Sequence, residues 1–305
     1  MNSSIIIGNG INQAFSSNVV TIDNMLDEYD KEKETVVPKD HSIPFPLKVI
    51  LRTNDHVDDL MKQKSKDFFG KVSLGSEECD FYKRLLSLPS TDIMTTNYGF
   101  ELEETALNQP ELNKKCFDAM RSTICRSGRA EGKYFLQTYN SVSLDDSEKR
   151  IWHIHGNAKN PSSMVIGHYY YGRLLKKVIT YVEENEYRYL VSDNNPSVKS
   201  WIDAFLFGDV YILGFGCDFS EMDIWWLINC KKNQNMHKNN KCGQIYFYEP
   251  MKREDEVKHA LLRCYGVKIE NFGVEICRND SKIKRNKKYK EFYYRAIEDI
   301  EKKMR

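Results

Sequence analysis

The sequence predicts an α/β fold: a Rossmann-like parallel sheet with helices on both faces, plus a small, mostly helical insertion or subdomain. Three observations predict it. Short apolar runs stop abruptly at glycine or small polar residues, as Ile5-Ile6-Ile7 does before Gly8, Ile93-Met94 before Thr95-Thr96, and Ile212-Leu213 before Gly214. Stretches with helical periodicity separate these runs, and that alternation favours a parallel sheet covered on both sides. The chain has 305 residues, 41% of them hydrophobic, which is enough to bury a substantial core.

Residues 4–7 read as a buried strand opening into a glycine turn. A helix is expected near 18–31 around Val20, Met25, Leu26 and Tyr29. Pro38, Pro44 and Pro46 mark irregular chain. Helical patterns follow at 54–69 and at 77–87, the second ended by Pro89. After the strand at 93–96 come a short helix at 100–107 and a polar, poorly patterned stretch at 108–132. Two strands, 133–142 and 149–155, flank the turn-rich Leu144–Ser147, and a short strand is expected at 163–166. An amphipathic helix should run from Tyr169 to Glu184. Asn194-Asn195-Pro196-Ser197 reads as a linker and cap before a helix at 197–206, with Pro at a first-turn position. The remaining elements are a strand at 209–213, a helix at 220–233 capped by Ser220, a strand at 244–248, a helix at 253–264, a strand at 267–269 and a C-terminal helix at 288–303. The organisation is one domain over 1–275, with helical insertions within 35–90 and 108–196, followed by a basic C-terminal helix over 276–305.

The formal net charge of +1 advertises neither nucleic acid nor an anionic membrane. No apolar stretch approaches the length of a membrane span, and the N-terminus does not read as an export signal, so a cytoplasmic protein is expected. The eight cysteines form no Cys-x-x-Cys pair; reduced thiols are expected and a structural zinc site is not.

Four motifs carry the chemistry. Gly8-Asn9-Gly10, with Asn12 beyond it, follows the first strand; glycines there let backbone approach a pyrophosphate, or serve turn geometry alone. Position 13 is Gln, so the third glycine of the hydride-transfer fingerprint is missing, and Asp27 and Asp30 fall on a predicted helix. Thr95-Thr96-Asn97-Tyr98 places an amide where it would hold a carboxamide, a ribose hydroxyl or a water; the plain alternative is a helix N-cap. His153 and His155 alternate on a strand, as a metal pair, as satisfied structural residues, or with His155 beside Gly156 as a single functional base, the preferred reading. Gly214-Phe215-Gly216-Cys217-Asp218, with Asp223, would bind ribose or cap the following helix; Trp225 and Trp226 on that helix read as core or subunit interface. The run Lys282–Lys290 is a solvated basic face by default and a partner contact as the sharper reading.

In this order the motifs resemble the sirtuin-like domains of prokaryotes over roughly residues 4–275. Thr95-Thr96-Asn97-Tyr98 is close to that family's Thr-Thr-Asn-Tyr-Asp signature, with Gly99 in place of the Asp, and His155-Gly156 matches its catalytic His-Gly. The family's paired zinc cysteines are absent, so the resemblance points to the zinc-less branch, whose members act largely as NAD hydrolases in anti-phage defence. It implies Asn97 and His155 as catalytic residues. It implies Gly8, Asn9, Gly10, Asn12, Thr95, Thr96, Gly214, Gly216 and Asp218 as the NAD contacts, and no metal. NAD would be the substrate, nicotinamide and ADP-ribose the products. Control would come from homo-oligomerisation or a partner sensor or ATPase, with nucleic acid involved only indirectly and no membrane. A non-catalytic sensor of NAD or a derivative is the alternative, a metal-dependent hydrolase using His153 and His155 is third, and a deacetylase is last.

Overall fold

The computed structural model describes residues 3–16, 21–33, 43–53, 64, 68–69, 74–107, 133–144, 147–186, 197–237, 242–252 and 255–305. Most of the helical pattern at 54–69, the polar stretch at 108–132 and most of the Asn194–Ser197 linker lie outside them. The elements run β1 (Ser3–Ile7), α1 (Gly10–Phe15), α2 (Ile22–Lys33), α3 (Phe45–Thr53), α4 (Ser76–Leu86), β2 (Asp92–Thr95), α5 (Glu101–Leu107), β3 (Asn140–Leu144) and β4 (Ser147–His153). They continue with α6 (His168–Glu184), α7 (Trp201–Leu206), β5 (Asp209–Leu213), α8 (Met222–His237), β6 (Ile245–Tyr248), α9 (Glu256–Cys264), β7 (Lys268–Glu270) and α10 (Lys282–Met304).

The seven strands form one sheet in the order β3-β4-β2-β1-β5-β6-β7. Every neighbouring pair is parallel except the antiparallel edge β3·β4. From central β1 the chain builds outward through β2 and β4, then returns to the other side of β1 for β5, β6 and β7. The β1/β5 junction is therefore the topological switch point, where a doubly wound sheet opens a crevice at its carboxyl edge. The register aligns that edge: Ile7 pairs with Thr95 and with Leu213, Thr95 with His153, and Leu213 with Tyr248.

Strand alternation feeds two cores. Ile5, Ile7, Ile93, Ile151, Tyr211 and Leu213 pack with residues of α1, α4 and α10 on one face. Ile6, Met94, Trp152, Val210, Ile212 and Phe247 pack with α6, α7 and α8 on the other. Near-continuous apolar runs are what a sheet covered on both faces requires, because successive side chains point to opposite faces.

Several elements differ from the sequence reading. Helix α3 covers Phe45–Thr53, where Pro44 and Pro46 mark irregular chain in the sequence, and the strand expected from 133 begins only at Asn140. Residues 163–166 form no strand; a 3-10 turn at Pro161–Ser163 leads into extended chain, and the Val165 N–H donates to the His155 carbonyl. The helix expected from 197 begins at Trp201, because Ser200 is its cap and its hydroxyl accepts from the Ile202 N–H. The C-terminal helix begins at Lys282, six residues early, behind a Ser281 cap; its first turns are polar and show no apolar period from which to read it.

Candidate functional site

The two glycine turns press against each other. The Gly10 N–H donates to the Gly214 carbonyl at 2.8 Å, and the Gly8 N–H to the Leu213 carbonyl at 3.2 Å. A Cβ on Gly8 or Gly10 would lie 2.8 or 2.7 Å from the Gly214 oxygen. Gly214 itself has φ +63° and leaves 2.7 Å for a Cβ against Ile11. These three glycines thus serve the approach of one turn to the other, and the amides of Gly8 and Gly10 are spent on it. Gly216 is different: a Cβ there would meet nothing within 4 Å. Asn9, Gly10, Thr96, Gly214, Gly216 and Asp218 line a cavity of about 1760 Å³ above the junction.

Asn12 is not in that lining. Its amide donates to Asn9 at 3.1 Å and to Glu101 at 2.9 Å, and its oxygen accepts from the Tyr82 hydroxyl, so it braces α1 from behind. Thr95 turns inward as well, its hydroxyl accepting from the Asn97 N–H at 3.0 Å. Thr96 faces the cavity while its N–H ties to the Ile7 carbonyl.

Asn97 is 6% exposed, yet neither its side-chain oxygen nor its nitrogen has a hydrogen-bond partner. It does not cap α5, which starts four residues later at Glu101. An unpaired buried amide costs roughly 1–3 kcal/mol, so a ligand that meets it would recover that cost. Gly99, where the family signature has Asp, lies under the Glu101 carboxylate: a Cβ at 99 would be 2.4 Å from Glu101 Oε1. An acid is therefore present at this corner, delivered from α5.

The two histidines part company. β4 ends at His153, and the chain turns before His155. His153 Nε2 lies 2.8 Å from Glu103 and Nδ1 3.1 Å from the Asn97 carbonyl. Burial alone would lower its pKa, but the charge and hydrogen bond of Glu103 outweigh burial and raise it. Burial likewise pushes Glu103 up, and His153 pulls it below the carboxylate range. His153 thus bridges the Glu103 carboxylate and the backbone carbonyl of Asn97.

His155, 2% exposed, lies 3.1 Å from Asp223 and 3.7 Å from Glu221, with Tyr171 edge-on at 5.4 Å. Burial lowers its pKa; Asp223 first and Glu221 second raise it, and the net direction is up. The Glu221 carboxyl is raised by burial, with Asp223 and Asp218 adding to the shift against His155. Of this cluster only Glu221 lines the cavity; His155 and Asp223, like Asn97, stand behind its lining. The donor atoms of His155, Glu221 and Asp223 converge within 4.8 Å, the one such His/Cys/Asp/Glu group among the described residues. His153 is not in it, so the paired-histidine arrangement considered from sequence does not form. Asp218 is exposed and receives the Ser220 N–H and hydroxyl, a local turn at the cavity edge. Asp27 pairs with Arg52 at 2.8 Å, on α2.

Sequence reasoning missed Glu221 and Lys258. Lys258 donates to the Gly216 carbonyl at 3.0 Å and pairs with Glu249, which also receives His259 at 2.8 Å. The strand-end position of Glu249, one residue past β6, was the available signal for this network. No protein-family model matches the chain, and no curated protein matches it. Among the described residues, no helix is long and apolar enough to cross a membrane.

Proposed function

We propose that the crevice binds NAD and that the protein hydrolyses its nicotinamide N-glycosidic bond, as the resemblance to zinc-less sirtuin-like domains implies. The observation that carries this reading is the unpartnered Asn97 amide, one residue beyond cavity-lining Thr96, at the switch point of a doubly wound sheet. A water and NAD give nicotinamide, ADP-ribose and a proton. The leaving group departs as neutral nicotinamide, so the reaction needs no general acid, unlike ordinary glycoside hydrolysis. It needs a fixed ribose, a fixed nicotinamide and a base. Asn97 orients the carboxamide or the attacking water. His155, once deprotonated, takes the proton from a ribose hydroxyl or from the water, with Asp223 holding the imidazole. Asn9, placed by the turn that Gly8, Gly10 and Asn12 shape, carries the pyrophosphate side, and Gly216 and Asp218 the adenosine side. Thr95 and Thr96 set the position of Asn97.

Unrestrained NAD hydrolysis would kill the host cell, so the activity is held in check by homo-oligomerisation or by a partner sensor or ATPase. An effector of anti-phage defence is the setting this chemistry fits. The test is nicotinamide release from NAD by purified protein across a concentration series. His155→Ala and Asn97→Ala should each lower turnover by about two orders of magnitude or more while the protein stays folded. Unchanged turnover in either variant removes that residue from the mechanism. NAD binding without turnover by the parent protein, alone and with partners, transfers the reading to a sensor.

A further inference from the structure

The crevice continues past the glycine turns to α10. Thr96 follows β2 and Lys252 follows β6, and both line the same cavity. Those strands are separated by β1 and β5, so the crevice spans about 14 Å of sheet edge. Its volume of about 1760 Å³ exceeds the several hundred typical of small-molecule sites.

The α10 wall is built from Lys282, Arg285, Asn286 and Tyr289, the i, i+3, i+4, i+7 stripe of one helix face. The other cations of 282–290 are paired. Lys284 and Lys288 pair with Asp280 at 2.8 and 2.7 Å, Lys287 with Glu291 at 4.0 Å, and Lys290 with Glu77. Lys282 and Arg285, both exposed, make no ion pair among the described residues. Both sit in the first turn of α10, where the helix dipole is positive and a cation is unfavourable. A bound anion relieves that repulsion, and a guanidinium fork matches phosphate geometry. Lys252, paired with Glu249 and Asp255, lies with its ammonium 5.8 Å from the Tyr289 ring and closes the same corner.

We propose that the α10 end of the crevice is a subsite for a phosphate monoester on the adenosine side of a dinucleotide, so that the protein binds NADP in preference to NAD. The proposal rests on the NAD reading above, which puts adenosine toward Gly216 and Asp218. An Arg beside the adenosine ribose is a known solution for a 2′-phosphate in doubly wound folds.

The experiment is calorimetric titration of the full chain with NAD and with NADP, repeated on the Lys282→Gln/Arg285→Gln double variant, with circular dichroism to verify the fold. NADP should bind about tenfold more tightly than NAD, as expected for charge-assisted hydrogen bonds. In the double variant the ratio of the two affinities should fall to near one. NAD binding with no NADP preference, or a preference that survives the double substitution, overturns the subsite and leaves the NAD reading standing. Binding of neither dinucleotide overturns both. Should the double variant misfold, Arg285→Lys alone keeps the charge, loses the fork, and should lower the ratio in part; an undiminished ratio counts against the subsite.

Discussion

In the proposed mechanism His155 must be neutral to serve as a base, and its neighbours set the pH at which the ring becomes so. Asp223 is 1% exposed and stands 3.1 Å from the imidazole; its charge is the leading influence that raises the His155 pKa against burial. Replacing the carboxylate by an amide removes that charge and leaves burial, which favours the neutral ring. In Asp223→Asn the rising limb of the pH–rate profile should therefore move to lower pH, since the basic form appears earlier. The maximal rate should fall about tenfold or more because the amide holds the ring less firmly. Nicotinamide release measured from pH 5 to 9 checks it; a lowered rate with an unmoved limb would make Asp223 a packing residue only. The identity of this partner was half visible in the sequence, where Asp223 was a candidate for ribose or for a helix cap. Which of two nearby histidines it would serve was not, because period-2 alternation extends only while the strand does, and β4 stops at His153.

The glycine turns behave as a pair of elements rather than as four interchangeable glycines. Gly214 combines a left-handed φ of +63° with the backbone nitrogen and a side-chain carbon of Ile11 in α1 within 3 Å of its missing Cβ. Gly214→Ala should therefore pay about 1–2 kcal/mol for conformation and a similar overpacking cost as α1 and the β5 turn separate. Gly216→Ala meets open space and should change stability by less than about 1 kcal/mol. Chemical denaturation of the two variants decides the point, and equal losses would mean that the turns do not pack as described. Strand ends were legible because each apolar run breaks at a small residue, and β5 matches its expected bounds of 209–213. What those glycines contact was not legible. The Gly10 to Gly214 hydrogen bond joins positions two hundred residues apart, and no local pattern encodes it. The same holds for Lys258, a lysine at helical spacing in α9 until the fold brings it to the Gly216 carbonyl.

At the scale of the whole molecule, parallel register brings four separate motifs to one edge of the sheet. The pairing of Ile7 with both Thr95 and Leu213, and of Thr95 with His153, delivers every motif to the same edge of the sheet. The sequence reading anticipated that edge from the shared pattern of strand followed by small residue. It set α10 apart, because the six basic residues of 282–290 dominate its start and its apolar residues come later. In the fold, Phe292, Tyr293, Ala296, Ile297 and Ile300 are buried in the same core layer as Ile5, Ile7, Tyr211 and Leu213 of the central strands. The hydroxyl of Tyr293 also lies 3.0 Å from where a Cβ on Gly10 would stand, so α10 touches the glycine turn itself. Each large apolar side chain buried there contributes about 1.5–3 kcal/mol, and a domain's net stability is only about 5–15 kcal/mol. A chain ending at Glu275 should then lack a cooperative thermal transition, bind a hydrophobic dye, and lose nucleotide binding together with its fold. The full chain should show one sigmoidal transition. A cooperative transition in the shortened chain would mean that α10 is an appendage, and the wall it gives the crevice would be dispensable to the domain.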